Sequence, residues 1–278
     1  MSSWPRITII TPSFNQGEFL EDTILSILNQ KYPNLEYFVV DGGSTDNTLD
    51  IIKKYEDSID WWVSEPDRGQ SHAINKGLER ATGDLINWIN SDDLLFPDAL
   101  QHMALGFINN PEADLFIGET ARIDLKGHIR SISAPPSILS FSSKYYILPI
   151  GQQSTFFTAK VVKKVNKIRE DLHMLMDYDF YYRILSLNVK YKIINQLIGA
   201  IREHPLAKGY FRKDLCAEES ARYRNSAQDN GLKQLTVEWI IKFLRVLDGS
   251  ILRGKMLTMK LNGKKISGHG WSGSLITS

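Results

Sequence analysis

Two adjacent aspartates, Asp92 and Asp93, follow an apolar segment in WINSDDLL, residues 88–95. Neighbouring carboxylates repel each other, and burying such a pair is costly unless a cation or a hydrogen-bond donor compensates the charge. Mg²⁺ and Mn²⁺ prefer oxygen ligands, and one or two carboxylates with substrate phosphates often hold Mg²⁺. A divalent cation is therefore one interpretation of this pair. The other is an acidic turn before a helix that starts near Pro97.

A further acidic position lies in VVDGGSTDNT, residues 39–48, where Asp41 ends an apolar stretch. Its carboxylate could accept hydrogen bonds from a nucleotide base or from ribose hydroxyls, and Gly42 and Gly43 would let the backbone approach a ligand closely. An ordinary strand-turn-helix connection explains the same residues without a ligand. The chain has no G-x-G-x-x-G after its first predicted strand and no G-x-x-x-x-G-K-[ST], which argues against a dehydrogenase and an ATPase.

The stretch MDYDFYYR, residues 176–183, carries two more aspartates on a predicted helix. Asp177 and Asp179 are two positions apart, so they cannot share a helix face. Asp179 precedes Arg183 by four positions, which predicts an ion pair between them. A carboxylate is ionised at neutral pH and can act as a general base when it lies within hydrogen-bond reach of a hydroxyl.

Alternating strand and helix patterns would position these residues. Strands and helices are predicted in turn over residues 6–13, 17–30, 35–44, 46–55, 59–66, 69–83, 84–90 and 96–109. This order predicts a mostly parallel sheet with helices on both faces, in which ligands bind at the carboxyl ends of the strands. Polar residues follow four of these strands: Thr11-Pro12-Ser13, Asp41-Gly42-Gly43-Ser44, Glu65-Pro66-Asp67 and Ser91-Asp92-Asp93. We therefore expect them at one edge of the sheet. Ser44 or Thr45 is expected near the N-cap of the second helix.

The remainder of the chain has a looser pattern. It predicts a hairpin over residues 113–133, a Pro- and Ser-rich loop over 134–154 that could line an acceptor cleft, and a helix over 176–187. Between Lys233 and Lys265 there are eight Lys or Arg and two acids. The Gly/Ser-rich residues 267–278 are predicted to be disordered.

The apolar helix over residues 235–247 has two interpretations. Interleaved basic residues suit an interfacial helix on an anionic membrane. Alternatively, Leu235, Trp239, Phe243 and Val246 would pack against the preceding domain, which we favour, with a membrane bias left to the basic residues beyond the helix.

Composition sets limits on partners and compartment. The 278 residues are 42% hydrophobic and 23% charged, which is ordinary for a globular protein with a real core. A net charge of +1 gives no general attraction to nucleic acid. A single cysteine, Cys216, excludes an internal disulfide and is interpreted as a small buried or half-buried side chain rather than a nucleophile. The N-terminal ITII is too short for a signal peptide, so we expect a cytoplasmic protein.

Four stretches together resemble the family 2 glycosyltransferases of the GT-A fold in their order and spacing, across about residues 5–205: ITIITPSFN, VVDGGSTDNT, SEPDRGQSHAINKGLERATGDLINWINSDD and LMDYDFYYRIL. The resemblance implies an α/β GT-A fold with a mostly parallel, Rossmann-like central sheet. It also implies inverting transfer of a sugar from a nucleoside diphosphate sugar, with Mn²⁺ or Mg²⁺ as cofactor.

The resemblance further implies roles for single residues. Asp93 would be the main metal ligand, because the motif reads SDD rather than a full D-x-D, with Asp92 and His204 as further ligands. An exposed loop histidine is the alternative for His204. Asp177 matches the general base of the family. The implied nucleotide-sugar contacts are Thr11, Pro12, Ser13, Asn15, Asp41, Asp67, Arg68, Gln70, Asn90, Ser91 and Asp92.

Two sets of residues near these motifs have weaker assignments. Lys208, Arg212 and Lys213 could contact phosphate, although a solvated basic loop explains them as well. Gln152 and Gln153 could form the floor of the acceptor site.

We expect a catalytic domain over residues 1–230, with a nucleotide-sugar-binding half at about 1–125 and an acceptor-binding half at about 126–230. A basic, amphipathic helical extension and flexible tail would follow over 231–278. The donor is expected to be a UDP-sugar and the acceptor a glycan or lipid-linked glycan at the inner face of the membrane. Two rival functions stay open, a non-catalytic nucleotide-sugar-binding subunit and a sugar nucleotidyltransferase. The second would need a basic Gly-rich loop after the first strand, and TPSFNQGEF has no basic residue.

Overall fold

The structure is a computed structural model, which describes residues 4–139, 142, 148–205, 207, 214–215, 217–220 and 234–271. The predicted positions Lys208, Arg212, Lys213 and Cys216 lie outside the described residues.

The first half of the chain alternates strands and helices, as predicted. Its elements are β1 Ile7–Ser13, α1 Gly17–Leu28, β2 Leu35–Asp41, α2 Thr48–Lys54, β3 Trp61–Ser64, α3 Gln70–Arg80, β4 Leu85–Trp88, β5 Leu94–Leu95 and α4 Ala99–Asn109. Helix α3 ends three residues before the predicted Gly83. Ala81 is already in an extended conformation there, and the Thr82 N–H donates to the carboxylate of Glu36.

The second half contains the longest strands and a helical extension. They are β6 Leu115–Ile123, β7 Ile129–Ser133, β8 Thr155–Thr158, α5 Ala159–Val165, α6 Met176–Ser186, β9 Tyr191–Arg202, α7 Gln234–Leu247, α8 Ser250–Leu261, β10 Ile266–Ser267 and β11 Gly270–Trp271. The predicted hairpin is confirmed by the antiparallel pairing of β6 with β7, and the predicted helix over residues 176–187 by α6.

Within the described residues, the main sheet has the strand order β3-β2-β1-β4-β8-β6-β9-β5, and β7 pairs with β6. Strands β1 to β4 are parallel to their neighbours in this group, whereas β8 pairs antiparallel with β4 and β6. The predicted α/β class is confirmed, with a mixed sheet in which β1 to β4 form one parallel group and the long strands β6 and β9 also pair in parallel.

Helices cover both faces of the sheet. Successive strand side chains point to opposite sides, so a continuous apolar strand carries apolar residues on both faces. Ile9 is buried in the layer formed with α1 and α4, and its neighbour Ile10 is buried in the layer formed with α3 and α6. Fully burying one such side chain contributes about 1.5–3 kcal/mol. Packing in these two layers holds β1 and its neighbours in place and so positions their carboxyl ends.

The parallel strands end in register at one edge of the sheet. Ser13 at the end of β1 pairs with Asp41 at the end of β2, and Asp41 pairs with Ser64 at the end of β3. The predicted meeting of polar residues at one edge is therefore confirmed.

Neither Ser44 nor Thr45 caps α2. The N–H of Thr48 donates to Asp46 Oδ1 at 3.0 Å, and the hydroxyl of Ser44 donates to Asp41 instead. Asp46 also accepts a hydrogen bond from the Gly17 N–H, so it joins the starts of α1 and α2.

The C-terminal extension contacts the rest of the protein through α8, which packs against β7. Thr258 Oγ1 accepts a hydrogen bond from the Ile132 N–H at 2.8 Å, and Arg253 pairs with the buried Glu119. The predicted packing of α7 through Trp239, Phe243 and Val246 is wrong, because these side chains are exposed. Leu235 belongs to the part of α7 whose side chains the structure does not describe.

The predicted disorder of the Gly/Ser-rich end is wrong for residues 267–271. Strands β10 and β11 form a short hairpin there. Gly268 donates its N–H to Asp22 and accepts a hydrogen bond from the Asn29 side chain, and these two contacts fix the hairpin on α1. Residues 272–278 lie outside the described part. No helix in the described part of the chain combines the length and apolarity needed to cross a bilayer.

Candidate active site

A cavity of about 1020 Å³ opens at the edge where the parallel strands end. Nine of the predicted site residues form part of its wall: Pro12, Ser13, Asp67, Gln70, Asn90, Ser91, Asp92, Asp93 and Asp177. Five others lie outside the wall: Thr11, Asn15, Asp41, Arg68 and His204. The structure therefore brings nine of the fourteen predicted residues to one cavity, and the other five lie outside its wall.

Asp93 is the most deeply buried acid of the cavity wall, with 3% of its surface exposed. Its Oδ2 accepts hydrogen bonds from Gln153 Nε2 at 2.6 Å and Asn90 Nδ2 at 3.0 Å, and its Oδ1 accepts one from the Arg202 N–H at 3.0 Å. Burial, with a smaller contribution from the charge of Asp92, raises the pKa of Asp93 to about 8. The carboxylate is held firmly, and a bound cation would favour its ionised form.

Asp92 differs from Asp93 in exposure and in partner. The two lie in a turn after β4, and Asp92 is partly exposed while Asp93 is buried. Asp92 Oδ2 lies 3.1 Å from His204 Nε2. A turn after β4 gives the two carboxylates these different environments.

His204 is buried and is not an exposed loop histidine. Its ring packs on Phe19 with 4.5 Å between ring centroids, and its Nε2 faces Asp92. Its Nδ1 is buried with no hydrogen-bond partner among the described residues. Metal ligation through Nε2 would require the contact with Asp92 to break, so this geometry favours His204 as the partner of that carboxylate.

Arg202, at the end of β9, supports the turn that carries both aspartates. Its guanidinium donates to the carbonyl oxygens of Asp92 and Leu125, each at 3.0 Å, and to Asp22 Oδ2 at 3.2 Å. The group also lies over the ring of Phe19, 5.4 Å from its centroid. Arg202 was not predicted as a site residue; its signal in the sequence is a lone arginine that ends the apolar run LIGAIR.

Gln152 and Gln153, which the sequence analysis suggested as the floor of the acceptor site, line the cavity. Gln152 Nε2 donates to the carbonyl of Trp88 and to Asn87 Oδ1, and Gln153 Nε2 donates to Asp93. In both residues Oε1 is buried and has no hydrogen-bond partner among the described residues. Buried acceptors of this kind favour a ligand that supplies hydroxyl groups or a cation.

Asp41 organises the loop after β2 and does not form part of the cavity wall. It is fully buried and accepts hydrogen bonds from the N–H groups of Gly43 and Ser44 and from the hydroxyls of Ser44 and Ser64. The predicted contact with a base would require one of these bonds to be exchanged. Gly42 and Gly43 line the cavity instead.

At Gly42 and Gly43 the backbone lies close to the neighbouring loop, residues 65–67. Gly43 has φ +83°, and a Cβ there would lie 3.1 Å from Pro66 N. A Cβ at Gly42 would lie 2.9 Å from Asp67 Oδ2.

After β3, Asp67 lines the cavity and the next residue, Arg68, lies outside the cavity wall. Asp67 lines the cavity and accepts a hydrogen bond from the Gly69 N–H at 2.7 Å. Gln70 Nε2 donates to Asn90 Oδ1 at 2.7 Å, and Asn90 in turn donates to Asp93. Arg68 forms an ion pair with Glu170 at 2.8 Å outside the wall, because a carboxylate is available there.

Thr11 and Asn15 lie outside the cavity wall and form hydrogen bonds with residues near it. Thr11 is buried and accepts a hydrogen bond from the Tyr37 hydroxyl at 3.1 Å. Asn15, with φ 52°, donates its N–H to Ser44 and accepts one from the Thr45 N–H, which joins the loops after β1 and β2. Next to it, Phe14, which was not among the predicted site residues, is 59% exposed and lines the cavity.

Asp177 and Asp179 lie on different faces of α6, as predicted. Asp177 lines the cavity near the start of the helix, and its Oδ1 accepts a hydrogen bond from the Tyr178 N–H. Asp179 is buried and accepts a hydrogen bond from Arg183 Nε at 2.7 Å. The predicted ion pair is confirmed, and the carboxylate that faces the cavity is Asp177.

The chemistry of the wall fits a hard divalent cation in part. Asp92 and Asp93 supply oxygen donors, and the unpartnered Oε1 of Gln153 lies in the same wall. Among the described residues, however, no three His, Cys, Asp or Glu are grouped to hold a metal ion. A cation here would take its remaining ligands from phosphates and water, as Mg²⁺ commonly does.

Residues 8–164 match the family described as Glycosyl transferase family 2. A relative from Bacillus subtilis, named putative teichuronic acid biosynthesis glycosyltransferase TuaG, is 40% identical over 105 residues, which cover 36% of this chain and 42% of that protein. An uncharacterized glycosyltransferase of Mycobacterium tuberculosis, Rv1514c, is 30% identical over 186 residues, covering 66% and 70%. One from Rickettsia felis is 29% identical over 193 residues, covering 66% and 32%. The chain thus spans less than half the length of two of these relatives.

Solved structures resemble the whole fold at low sequence identity. S. aureus TarS 1-349 in complex with UDP-GlcNAc has a TM-score of 0.61 and 19% identity, covering 91% of this chain and 77% of that one. The mannosyltransferase PcManGT from Pyrobaculum calidifontis, in complex with GDP-Man and Mn2+, has a TM-score of 0.60 and 18% identity, covering 99% and 77%. The fold implied by the resemblance in sequence is confirmed by these likenesses.

Proposed function

Because the chain belongs to glycosyl transferase family 2, we propose that it transfers a sugar from a nucleoside diphosphate sugar to a hydroxyl of a glycan or lipid-linked glycan, with inversion at the anomeric carbon. The observation that carries the proposal is that Asp177 and the turn with Asp92 and Asp93 border one cavity. A base and a diphosphate site on one cavity are what an inverting transfer requires.

Asp177 is the proposed general base. It takes the proton of the acceptor hydroxyl as that oxygen attacks the anomeric carbon from the side opposite the leaving diphosphate. Its position on the cavity wall supports this role, and the ion pair with Arg183 leaves Asp179 a structural one.

The diphosphate is proposed to lie beside Asp92 and Asp93. Mn²⁺ or Mg²⁺, when bound by these carboxylates, would supply positive charge to the departing diphosphate. The protein's own part is to keep Asp93 fixed through Asn90, Gln153 and the Arg202 backbone.

We propose a UDP-sugar as the donor, with its base near Pro12, Ser13 and Asp67. The UDP-GlcNAc bound in TarS supports this choice, and the GDP-Man bound in PcManGT is the reason to test GDP beside UDP. The donor half is assigned to about residues 1–125 and the acceptor half to about 126–230.

A thermal-unfolding scan with UDP or GDP, each with and without Mn²⁺, tests the donor site. A ligand at about a hundred times its Kd stabilises by roughly 2.7 kcal/mol, which moves Tm by several degrees. We expect a Mn²⁺-dependent shift with UDP, followed by transfer from UDP-sugars. A shift with GDP alone would change the donor, and no shift with either would contradict the proposal.

The two rival functions have weaker support. A sugar nucleotidyltransferase would need basic residues beside the phosphates in the loop after β1, and the sequence from Thr11 to Phe19 has none. A non-catalytic subunit would need neither base nor carboxylate pair, yet Asp177 and Asp93 both face the cavity.

The helical extension is proposed to contact an anionic membrane, where a lipid-linked acceptor would lie. On α7, Trp239, Ile240, Phe243 and Leu247 are exposed, and on α8 so are Leu252, Met256 and Met259. Exposed Lys242, Lys255 and Lys260 lie on the same helices. Apolar side chains interleaved with lysines are typical of helices that bind anionic lipid surfaces.

A further inference from the structure

Glu219 makes a set of contacts that the proposed reaction does not use directly. It lies in residues 217–220, a helical segment, and is 3% exposed. Its Oε1 accepts a hydrogen bond from the His173 N–H at 2.8 Å, and its Oε2 accepts from the Met174 N–H at 2.8 Å and the Leu175 N–H at 3.0 Å. One carboxylate therefore satisfies three successive backbone donors that lie more than forty positions earlier in the chain.

The three donors lead directly into α6. Leu175 is the N-cap residue, and no side chain of the helix itself caps this end. The carbonyl of Leu175 accepts the first helical hydrogen bond, from the Asp179 N–H at 2.8 Å. Asp177 is the second residue of α6, so the position of its backbone depends on the turn that Glu219 binds.

The same turn also forms part of the cavity. His173 and Met174 line the wall together with Asp177. A negative charge at the start of a helix is favourable, because the N–H groups there carry partial positive charge. Glu219 binds the N–H groups of the N-cap residue and of the two residues before it, whereas a local Ser or Asp cap would accept from N–H groups inside the helix.

The ionised form of Glu219 agrees with this geometry. Burial alone would raise its pKa, and the hydrogen bonds from the three N–H groups outweigh burial, so the pKa lies below its usual value. The carboxylate is therefore charged at neutral pH and can accept all three bonds.

We propose that Glu219 is a positioning residue for the general base: by binding the turn 173–175 it fixes Asp177 against the acceptor side of the cavity. The proposal rests on the proposed function. It predicts that loss of Glu219 lowers the rate of transfer while donor binding, which is assigned to other residues of the cavity wall, stays intact.

The test compares Glu219→Ala and the nearly isosteric Glu219→Gln with Glu218→Ala, a change of the exposed neighbouring glutamate. Hydrogen–deuterium exchange measures the amides of residues 173–178, and steady-state kinetics measure kcat and the donor KM. In Glu219→Ala we expect the amides of residues 173–175 to exchange about tenfold faster or more, because their acceptor is lost. We expect kcat to fall about ten- to a hundredfold with less than about a threefold change in donor KM. The exchange rates and kcat of Glu219→Gln should lie between those of Glu219→Ala and the wild type. Those of Glu218→Ala should match the wild type.

Unchanged exchange in both Glu219 variants would overturn the inference, as would faster exchange with unchanged kcat. A fall in kcat that is matched by a comparable rise in donor KM would also overturn it, because the defect would then extend to the donor site. Absence of transfer by the wild type, in contrast, would contradict the proposed function itself. The exchange measurement needs no substrate, so the two failures are distinguishable. If Glu219→Ala does not fold, Glu219→Gln carries the same comparison.

Discussion

Gln153 Nε2 donates a 2.6 Å hydrogen bond to Asp93 Oδ2 across 60 positions of sequence. The bond joins the segment that precedes β8 to the turn that follows β4, and it lies in the wall of the cavity. An amide from the proposed acceptor side thus fixes the orientation of the carboxylate proposed to bind the cation.

Gln153→Leu removes this donor at nearly constant volume. Asp93 then keeps two of its three donors, so its orientation becomes less fixed. We expect the Mn²⁺ concentration for half-maximal UDP binding to rise about tenfold, a cost in the range of one hydrogen bond to a charged group. Isothermal titration at several Mn²⁺ concentrations measures this, with Gln152→Leu as the control because Gln152 donates to Trp88 and Asn87 instead. Equal effects of the two changes would contradict a specific role for the bond.

Asp93→Ala removes the proposed main ligand of the cation. We expect UDP affinity in the presence of Mn²⁺ to fall to the level seen with EDTA, because the site would keep only one carboxylate. Titration with and without EDTA checks this. If Mn²⁺ still enhanced UDP binding in the variant by the wild-type factor, Asp93 would not be the ligand.

Asp177→Asn removes the proposed base and keeps the shape of the side chain. We expect transfer to fall at least about a hundredfold, the usual contribution of a general base, with UDP affinity nearly unchanged. Asp179→Asn is the matched comparison. It breaks the buried pair with Arg183, so it should lower Tm by several degrees and affect chemistry less. Near-normal turnover of Asp177→Asn would exclude it as the base.

Glu36 makes stability depend on pH. Burial would raise its pKa, but hydrogen bonds from Thr8 and Thr82 and the charge of Arg6 outweigh it and lower the pKa below its usual value. A lowered folded pKa stabilises the protein above the unfolded pKa, and this stabilisation is lost as the pH falls through the folded pKa.

We therefore expect Glu36→Gln to be less stable than the wild type at pH 7 and to approach it below about pH 4. Urea unfolding at a series of pH values measures the difference. A difference independent of pH would show that shape rather than charge is responsible.

The exposed apolar residues of α7 predict membrane binding. Trp239 and Phe243 are 69% and 63% exposed, and the double change Trp239→Ser with Phe243→Ser should release the protein from vesicles that contain anionic lipid. Leu105→Ser with Ile108→Ser, on the exposed side of α4, is the control. Co-sedimentation measures both, and equal binding of all three proteins would contradict the proposed surface.

Local sequence patterns predicted the strands, most helices and the polar strand ends, because burial imposes a period of two or 3.6 residues on the chain. Asp177 and Asp179 were separated on the same basis, by helix geometry and the spacing to Arg183. The turn with Asp92 and Asp93 was found because its composition is unusual at a strand end.

The supports of these residues could not be predicted in this way. Arg202 binds the aspartate turn across 110 positions, and Glu219 binds the turn before α6 across more than forty. Such contacts depend on how distant segments pack, and no local period encodes the pairing. The exposed face of α7 was misjudged for a similar reason, since an apolar stripe predicts burial without naming what covers it.

The hairpin of β10 and β11 has a consequence for the order in which the molecule is completed during translation. Asp22 accepts hydrogen bonds from both Gly268 and Arg202, so the earliest helix, the cavity wall and the hairpin share one carboxylate. This carboxylate gains its full set of partners only after residue 268 has left the ribosome. Contacts of such long range are slow to form because a large loop must close first. The final ordering of Asp22, and of the Arg202 guanidinium that it binds, should therefore follow the synthesis of residue 268.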